Sequence, residues 1–151
     1  MEKSVYLGGP VKGLSYSDSI IWREYAKKEL ARYSIEGISP MRAKEFLAQE
    51  KVLTDRYDSL HVLASSTGIT IRDRWDVKRC TLFLANLVEA KEITIGTMIE
   101  YGWASAYDKP IITIMEKEGN LHDHSILRGL TGFRVETLDE GLQVARALLC
   151  S

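Results

Sequence analysis

A glutamate near the start of an apolar helical stretch is the first residue that could do chemistry. Glu100 lies in the run 94–104, where the periodicity predicts a helix over 95–107. A carboxylate in the early turns of a helix lies near the positive end of the helix dipole, which favours its ionised, nucleophilic form. Gly102 suggests close packing or a close approach to another group, because glycine in a helix interior costs up to about 1 kcal/mol relative to alanine. A solvated surface glutamate is the alternative interpretation.

A second carboxylate lies in the charged run Arg72-Asp73-Arg74-Trp75-Asp76, just before an apolar segment. Asp73 could protonate or orient a leaving group while Glu100 attacks, which is the division of labour in glycosyl-bond chemistry. The run could equally be a charged helix face whose ion pairs satisfy one another, and the local pattern alone favours that interpretation.

A glycine-rich loop follows the first predicted strand. Its residues Gly8, Gly9, Lys12 and Gly13 would let the backbone approach a ligand closely, and Lys12 would add positive charge for an anion such as phosphate. The loop has neither a G-x-G-x-x-G nor a Walker A pattern, so a dinucleotide site or a P-loop is not supported. A tight turn without a ligand is the alternative.

Alternating apolar strands and amphipathic helices must position these residues. In the first helix, Ile21, Tyr25, Leu30 and Tyr33 form the predicted apolar stripe, with Ser15 or Ser17 as N-cap. The stretch 51–70 has no clean period and is predicted to be a long loop or lid with some helix. The pattern predicts a single α/β domain over 1–151 with a mostly parallel sheet, whose ligand lies beyond the carboxyl ends of the strands. The predicted strands are 4–8, 37–39, 81–87, 110–115 and 133–136, and the predicted helices 17–33, 41–49, 72–80, 95–107 and 138–149.

Composition narrows the class of function. The chain has 151 residues and a formal charge of −1, so it has no global positive field for a nucleic-acid polymer. Cys80 and Cys150 match no zinc or disulfide spacing, which indicates reduced thiols and a cytoplasmic protein. No apolar run approaches the length of a spanning helix or a signal peptide, so we expect no membrane partner.

The motifs together resemble the nucleoside 2-deoxyribosyltransferase family. The resemblance rests on Tyr6-Leu7-Gly8-Gly9-Pro10, Ser39-Pro40-Met41-Arg42, Arg72-Asp73 and, most specifically, the G-x-x-x-E-x-G-x-A pattern of 96–104 followed by Lys109-Pro110. It spans nearly the whole chain. It implies a flavodoxin-like or Rossmann-like three-layer sandwich with a five-stranded sheet, acting on the N-glycosidic bond of a nucleoside or nucleotide.

The resemblance also implies roles for individual residues. Glu100 matches the family nucleophile that attacks the anomeric carbon and forms a covalent glycosyl-enzyme. Asp73 matches the carboxylate that manages the proton on the departing base, and Tyr6 matches a tyrosine whose hydroxyl could orient the nucleophile. A retaining displacement of this kind needs two carboxyl groups about 5 to 5.5 Å apart.

The sequence departs from the transferase pattern at the group expected to bind the sugar 5'-hydroxyl. Transferases usually have an acid six residues before the nucleophile, whereas this chain has Thr94. A hydroxyl there, with Lys12 in the glycine loop, resembles the related nucleoside 5'-monophosphate N-glycosidases. The chain also ends in Leu148-Leu149-Cys150-Ser151, without the C-terminal aromatic residue that transferases tend to place in a neighbour's site.

Further candidates for substrate contact complete the expected site. Gly96 opens the predicted nucleophile helix, and Met41 and Trp75 could flank a base, although packing is the commoner role of both types. Arg42 is a weaker candidate for contact with base or phosphate. By family resemblance, His124 or Ser125 could reach a neighbouring subunit's site, with an ordinary solvated loop as the alternative. No metal or cofactor is expected, since two histidines without a third ligand do not form a metal site.

These observations predict a nucleoside 2-deoxyribosyltransferase that moves the deoxyribosyl group between bases through a glycosyl-Glu100 intermediate. The expected partners are a nucleoside or nucleotide and a free nucleobase, in a homo-oligomer with shared sites. The first alternative is an N-glycosidase of (deoxy)nucleoside 5'-monophosphates. The second is a nucleotide-binding sensor without turnover, against which the presence of both Asp73 and Glu100 argues.

Overall fold

Five parallel strands form one sheet, which the computed structural model describes within residues 2–151. The strands are β1 (Lys3–Gly8), β2 (Ile35–Ile38), β3 (Leu82–Asn86), β4 (Ile111–Ile114) and β5 (Phe133–Val135). Their spatial order is β2-β1-β3-β4-β5, which is the flavodoxin-like order. The predicted single-domain, flavodoxin-like α/β fold is therefore confirmed, and all four strand pairings are parallel.

Helices cover both faces of the sheet and complete three layers. They are α1 (Tyr16–Ala31), α2 (Ser66–Arg79), α3 (Ile95–Ala106), α4 (Ser125–Leu130) and α5 (Leu138–Leu149). Side chains of α1 and α5 pack with Leu7 and Leu84 on one face, and side chains of α2, α3 and α4 pack with Tyr6 and Phe83 on the other. This alternation follows the period of two along each strand. No helix in the described part of the chain is long and apolar enough to span a membrane.

The predicted stripe of α1 is wrong, apart from Leu30. Ile21 is 61% exposed, and Tyr25 and Tyr33 are exposed as well. The buried side chains are instead Ser19, Arg23, Ala26 and Leu30, at spacings of four, three and four. An arginine therefore occupies the centre of the buried stripe. The N-cap is Ser15, whose side chain accepts a hydrogen bond from the Asp18 amide.

The helix predicted over 41–49 is also wrong. Only a single 3-10 turn, Glu45–Leu47, forms there. The Ser39 hydroxyl accepts a hydrogen bond from the Met41 amide, and Ala43 has a left-handed φ of 59°. Both features bend the chain into a tight turn, because a side-chain acceptor competes with helical hydrogen bonding.

Other element boundaries differ in ways that side-chain contacts explain. Helix α2 begins at Ser66 rather than at 72, because Ser65 caps it by accepting from the Gly68 amide. The expected loop over 51–70 contains a 3-10 turn at Val62–Ala64 and the first residues of α2. Helix α4 was not predicted. Gly102 has open space where a Cβ would lie, so the expected close packing at this glycine is wrong.

Candidate active site

A cavity of about 390 Å³ opens at the carboxyl edge of the sheet, where the loops after β1 and β3 diverge. This is the switch point at which parallel sheets bind ligands. The glycine loop, the turn after β2, the segment before α2 and the first turns of α3 line it. Its volume lies within the range of small-molecule sites.

Glu100 lies in the second turn of α3 and is 7% exposed, with its side chain lining the cavity. The Thr94 side chain caps this helix by accepting from the Thr97 amide. Tyr6, fully buried near the end of β1, donates a hydrogen bond from its hydroxyl to Glu100 Oε2. Burial, together with the negative charge of Glu100, raises the pKa of Tyr6 well above 10.0, so the hydroxyl stays a donor. One strand and one helix thus orient the expected nucleophile.

Asp73 lies on α2, which packs against α3, and its side chain lines the same cavity. Its Oδ1 atom is buried and has no hydrogen-bond partner among residues 2–151. A buried acceptor without a donor costs free energy, so this atom is poised for a proton or for a donor on a ligand.

The two carboxyl groups shift each other's protonation. Burial and then the Asp73 charge raise the pKa of Glu100 to about 8, against lowering by the Tyr6 hydrogen bond and by Arg23. Burial raises the pKa of Asp73 to about 6, against lowering by Lys44 and Arg72. Like charges in one cavity cannot both ionise freely, so the pair retains a proton near neutral pH.

A buried arginine on α1, Arg23, holds the backbone of the glycine loop. Arg23 is fully buried, and its guanidinium donates to the carbonyls of Leu7, Gly9 and Ser19. Gly9 has a φ of +155°, and a Cβ there would lie 2.8 Å from the Asn86 carbonyl oxygen. Glycine is therefore required at this position.

The other predicted loop residues lie around Gly9. Gly8 packs on Phe83, where a Cβ would approach to 3.1 Å. Lys12 is exposed and lines the cavity. Gly13 has a φ of +87°, and a Cβ there would lie 2.6 Å from Glu92 Oε1. The loop thus brings the Lys12 cation to the cavity rim, next to the Glu92 carboxylate from the segment before α3.

The start of α3 provides a polar edge to the cavity. Thr94 and Gly96 line it, and the Thr94 hydroxyl lies 2.9 Å from that of Thr97. The Thr94 amide donates to His122 Nε2 over 2.9 Å, so that the buried His122 fixes the loop before α3. Amide groups at a helix start favour an anion.

Of the remaining predicted residues, only Met41 lines the cavity. Arg42 instead makes a two-pronged ion pair with Asp76, at 2.6 and 3.0 Å. Trp75 is 58% exposed, with the Arg79 guanidinium over its ring. His124 caps α4 by accepting from the Ile126 amide, and Ser125 is the first residue of that helix. Both lie outside the cavity within this chain.

The structure adds three residues that the sequence analysis missed: Arg23, Lys44 and Glu92. Lys44 and Glu92 line the cavity, and Arg23 supports the glycine loop. A signal for Arg23 was its place among small and aliphatic residues at helical spacing. Lys44 stands two residues before the apolar pair Phe46-Leu47, and its burial depends on a turn that the local pattern does not show.

Solved structures with similar folds include two enzymes and a carrier protein. A CMP N-glycosidase from Clostridium botulinum superposes with a TM-score of 0.61 and 22% identity, over 97% of this chain and 100% of that chain. A 2-deoxyribosyltransferase from Leishmania mexicana superposes with a TM-score of 0.61 and 15% identity, over 94% of this chain and 95% of that chain. A Moco carrier protein from Chlamydomonas reinhardtii superposes with a TM-score of 0.61 and 16% identity, over 99% of this chain and 98% of that chain. At these identities the likeness establishes the fold.

The family follows from the sequence comparison. A search of curated proteins finds no match. A family model described as nucleoside 2-deoxyribosyltransferase matches residues 5–145, which include Tyr6, Asp73 and Glu100. This chain therefore belongs to the nucleoside 2-deoxyribosyltransferase family, as its motifs predicted.

Proposed function

We propose that this protein cleaves the N-glycosidic bond of a 2'-deoxynucleoside through a covalent glycosyl-Glu100 intermediate and transfers the deoxyribosyl group to another base. The observation that carries the proposal is the meeting of two carboxylates, Asp73 and Glu100, in one cavity with a tyrosine hydroxyl on the second. A double-displacement reaction at a sugar carbon needs one nucleophilic carboxylate and one acid/base.

In the first half-reaction, Glu100 is the nucleophile. Its oxygen bonds to the anomeric carbon while the bond from that carbon to the base nitrogen breaks, and the electron pair stays on the base. Asp73 supplies a proton to the departing base. This step needs Glu100 ionised and Asp73 protonated, and the Tyr6 hydroxyl and the Arg23 charge both favour the ionised form of Glu100. A base nitrogen accepting from Asp73 would favour the protonated form there.

In the second half-reaction, an incoming base nitrogen attacks the anomeric carbon and releases Glu100, and its proton passes to Asp73. Water attacking in the same place would give hydrolysis instead. The loop over 51–65, whose Leu53 and Tyr57 line the cavity, would shelter the intermediate from water.

A second candidate function is hydrolysis of nucleoside 5'-monophosphates. The start of α3 supports it, since Thr94 and the first residues of the helix line the cavity together with Lys12. Amides, a hydroxyl and an ammonium group are suited to hold a phosphate. Glu92 lines the same cavity and favours an uncharged 5'-group instead.

The proposed enzyme is a homo-oligomer that completes its sites across subunits. His124 and Ser125 are exposed and lie outside their own cavity, so they are free to contact a neighbour's substrate. Size-exclusion chromatography with light scattering tests this expectation, and a monomer at working concentration would contradict it.

Chromatography of reaction products tests the function directly. The protein is incubated with each deoxynucleoside and each 5'-monophosphate, with and without a second free base. A new nucleoside that forms only with the second base is the expected result. Free base and sugar 5-phosphate from the monophosphates alone would support the second candidate.

Mass spectrometry with a slow 2-fluoro-2-deoxy substrate tests the intermediate. We expect a glycosyl adduct on Glu100 that is absent from Glu100→Gln. Glu136→Gln, at an exposed position, is the matched control and should keep the adduct. Ligand binding without adduct or released base would instead favour the sensor without turnover.

A further inference from the structure

The turn after β2 is held rigidly by contacts from α2. Arg72 donates to the carbonyls of Pro40 and Arg42, at 2.6 and 2.9 Å. Arg42 in turn pairs with the fully buried Asp76. These bonds keep Ala43 in a left-handed conformation, which costs free energy in a residue other than glycine. Such backbone strain persists where the surroundings over-determine it, and here it directs the next residue, Lys44.

Lys44 is 5% exposed, and its side chain lines the cavity. Within residues 2–151, its ammonium makes no hydrogen bond and has no carboxylate within ion-pair distance. Burial lowers the pKa of Lys44 to about 8, while the Asp73 charge acts in the opposite direction. Lys44 Nζ is not enclosed by protein atoms, so its donors are open to an acceptor on a ligand in the cavity.

Lys44 and Asp73 form a complementary pair that faces the same space. Lys44 lacks an acceptor, and Asp73 Oδ1 lacks a donor. A nucleobase supplies both needs near the bond to be broken. The glycosidic nitrogen of a pyrimidine is flanked by a carbonyl oxygen, and that of a purine lies beside a ring nitrogen acceptor. Negative charge that develops on the departing base spreads onto these acceptors.

We propose that Lys44 donates a hydrogen bond to the acceptor next to the glycosidic nitrogen and thereby stabilises the negative charge on the departing base. The inference rests on the function proposed above. As the bond from the anomeric carbon to nitrogen breaks, the electron pair moves onto the base and the Glu100 oxygen bonds to the carbon. Asp73 gives up its proton to the base, and Lys44 keeps its own.

A competing role for Lys44 is to position Asp73 without touching the base. The two roles differ in whether they act through Asp73. A poor leaving group needs both a donor to the base and a proton from Asp73, so leaving-group dependence alone does not separate the roles. A donor to the departing base still acts in Asp73→Asn, whereas a residue that positions Asp73 loses its effect there. The test therefore compares bases of different leaving ability in the wild-type and Asp73→Asn backgrounds.

The experiment measures single-turnover release of uracil, 5-fluorouracil and 4-nitrophenol from their deoxyribosides or deoxyriboside 5-phosphates, in the form that the wild type cleaves. In Lys44→Met we expect uracil release to slow by about 30-fold or more, the size of a lost charged hydrogen bond. Release of 5-fluorouracil should slow less, and 4-nitrophenol by under about 3-fold. Lys28→Met, at an exposed position on α1, is the matched control and should leave all three rates unchanged.

In variants that stay folded, two results would overturn the proposal: equal slowing of all three leaving groups by Lys44→Met, or no further slowing of 5-fluorouracil release when Lys44→Met is added to Asp73→Asn. If Lys44→Met does not fold, the same comparison in Lys44→Gln decides, because glutamine keeps a donor but loses the charge. A wild type that releases none of the three groups would overturn the proposed function itself, which separates the two failures.

Discussion

The Tyr6 hydroxyl donates its hydrogen bond to Glu100 across the junction of β1 and α3, with both side chains buried. The tyrosine ring is fixed by stacking on Phe83, with centroids 5.6 Å apart. The sheet therefore sets the position of the donor, and the helix sets that of the carboxylate. Because the bond strengthens with negative charge on Glu100, it counteracts part of the penalty of burying a nucleophile.

Replacing Tyr6 by phenylalanine removes the donor and keeps the ring. The pKa of Glu100, already raised to about 8 by burial, should rise further. A smaller ionised fraction at neutral pH should slow glycosyl transfer to Glu100 by about 10- to 100-fold, and the acid limb of the pH-rate profile should move upward.

Single-turnover rates across pH measure this effect. Tyr101→Phe is the matched control, since the Tyr101 hydroxyl is buried on the same sheet face but bonds to Thr113 over 2.7 Å. An acid limb that moves equally in both variants would contradict a specific role for Tyr6.

Burial of Glu100 also predicts a dependence of stability on pH. Its pKa is raised from 4.5 to about 8 by burial and by Asp73, so the folded chain holds a proton that the unfolded chain has lost. Stability therefore falls as pH rises between these values. Glu100→Gln carries no charge at this position at any pH. We therefore expect the stability of the variant, measured relative to the wild type, to be greater above about pH 8 than below about pH 5.

Urea denaturation at both ends of this range measures the change. The relative gain should be at least about 1.4 kcal/mol, the free energy of one pKa unit. Glu136→Gln should show no comparable gain, because this side chain is exposed in both states. A wild-type free energy of unfolding that does not change across this pH range would contradict a raised pKa of Glu100.

The order of strands and helices could be predicted from sequence because buried strands such as β3 and β4 are short, continuous apolar runs. The catalytic candidates could be named because the glycine loop follows β1, Glu100 lies on the helix after β3 and Asp73 lies on the helix just before β3. The buried state of Arg23 was not, since its acceptors Leu7 and Gly9 belong to another element. The turn at Ala43 likewise depends on Arg72, which lies about thirty residues further along the chain.

Arg23 should be critical for the stability of the glycine loop. Replacing it by methionine fills similar space but leaves the carbonyls of Leu7 and Gly9 without these donors. We expect the free energy of unfolding to fall by about 2 to 5 kcal/mol, since buried charged hydrogen bonds are lost. Urea denaturation measures the change.

Arg32→Met is the control, because Arg32 is exposed and, within residues 2–151, its one ion pair is with Glu29. Its effect should stay within about 0.5 kcal/mol. Arg23→Lys restores charge without the planar fork and should recover only part of the stability. Equal losses for Arg23→Met and Arg32→Met would show that the buried guanidinium does not stabilise the loop.

Lys12 and Glu92 should decide between nucleosides and their 5'-monophosphates. Both line the cavity rim, with opposite charges, near the start of α3. Lys12→Met should lower kcat/KM for a monophosphate by about 10-fold, equivalent to about 1.4 kcal/mol, and change that for the nucleoside by less than about 2-fold. Glu92→Gln should raise kcat/KM for the monophosphate and leave the nucleoside nearly unchanged.

Ionic strength provides an internal check on this last prediction. The rim is exposed to solvent, so the preference that each charge confers should shrink as salt is added. Lys28→Met, at an exposed position on α1 that does not line the cavity, should leave the ratio of the two kcat/KM values unchanged at every salt concentration. If both rim variants alter nucleoside and monophosphate in equal proportion, these charges do not recognise the 5'-group, and its recognition falls to Thr94 and the first amides of α3.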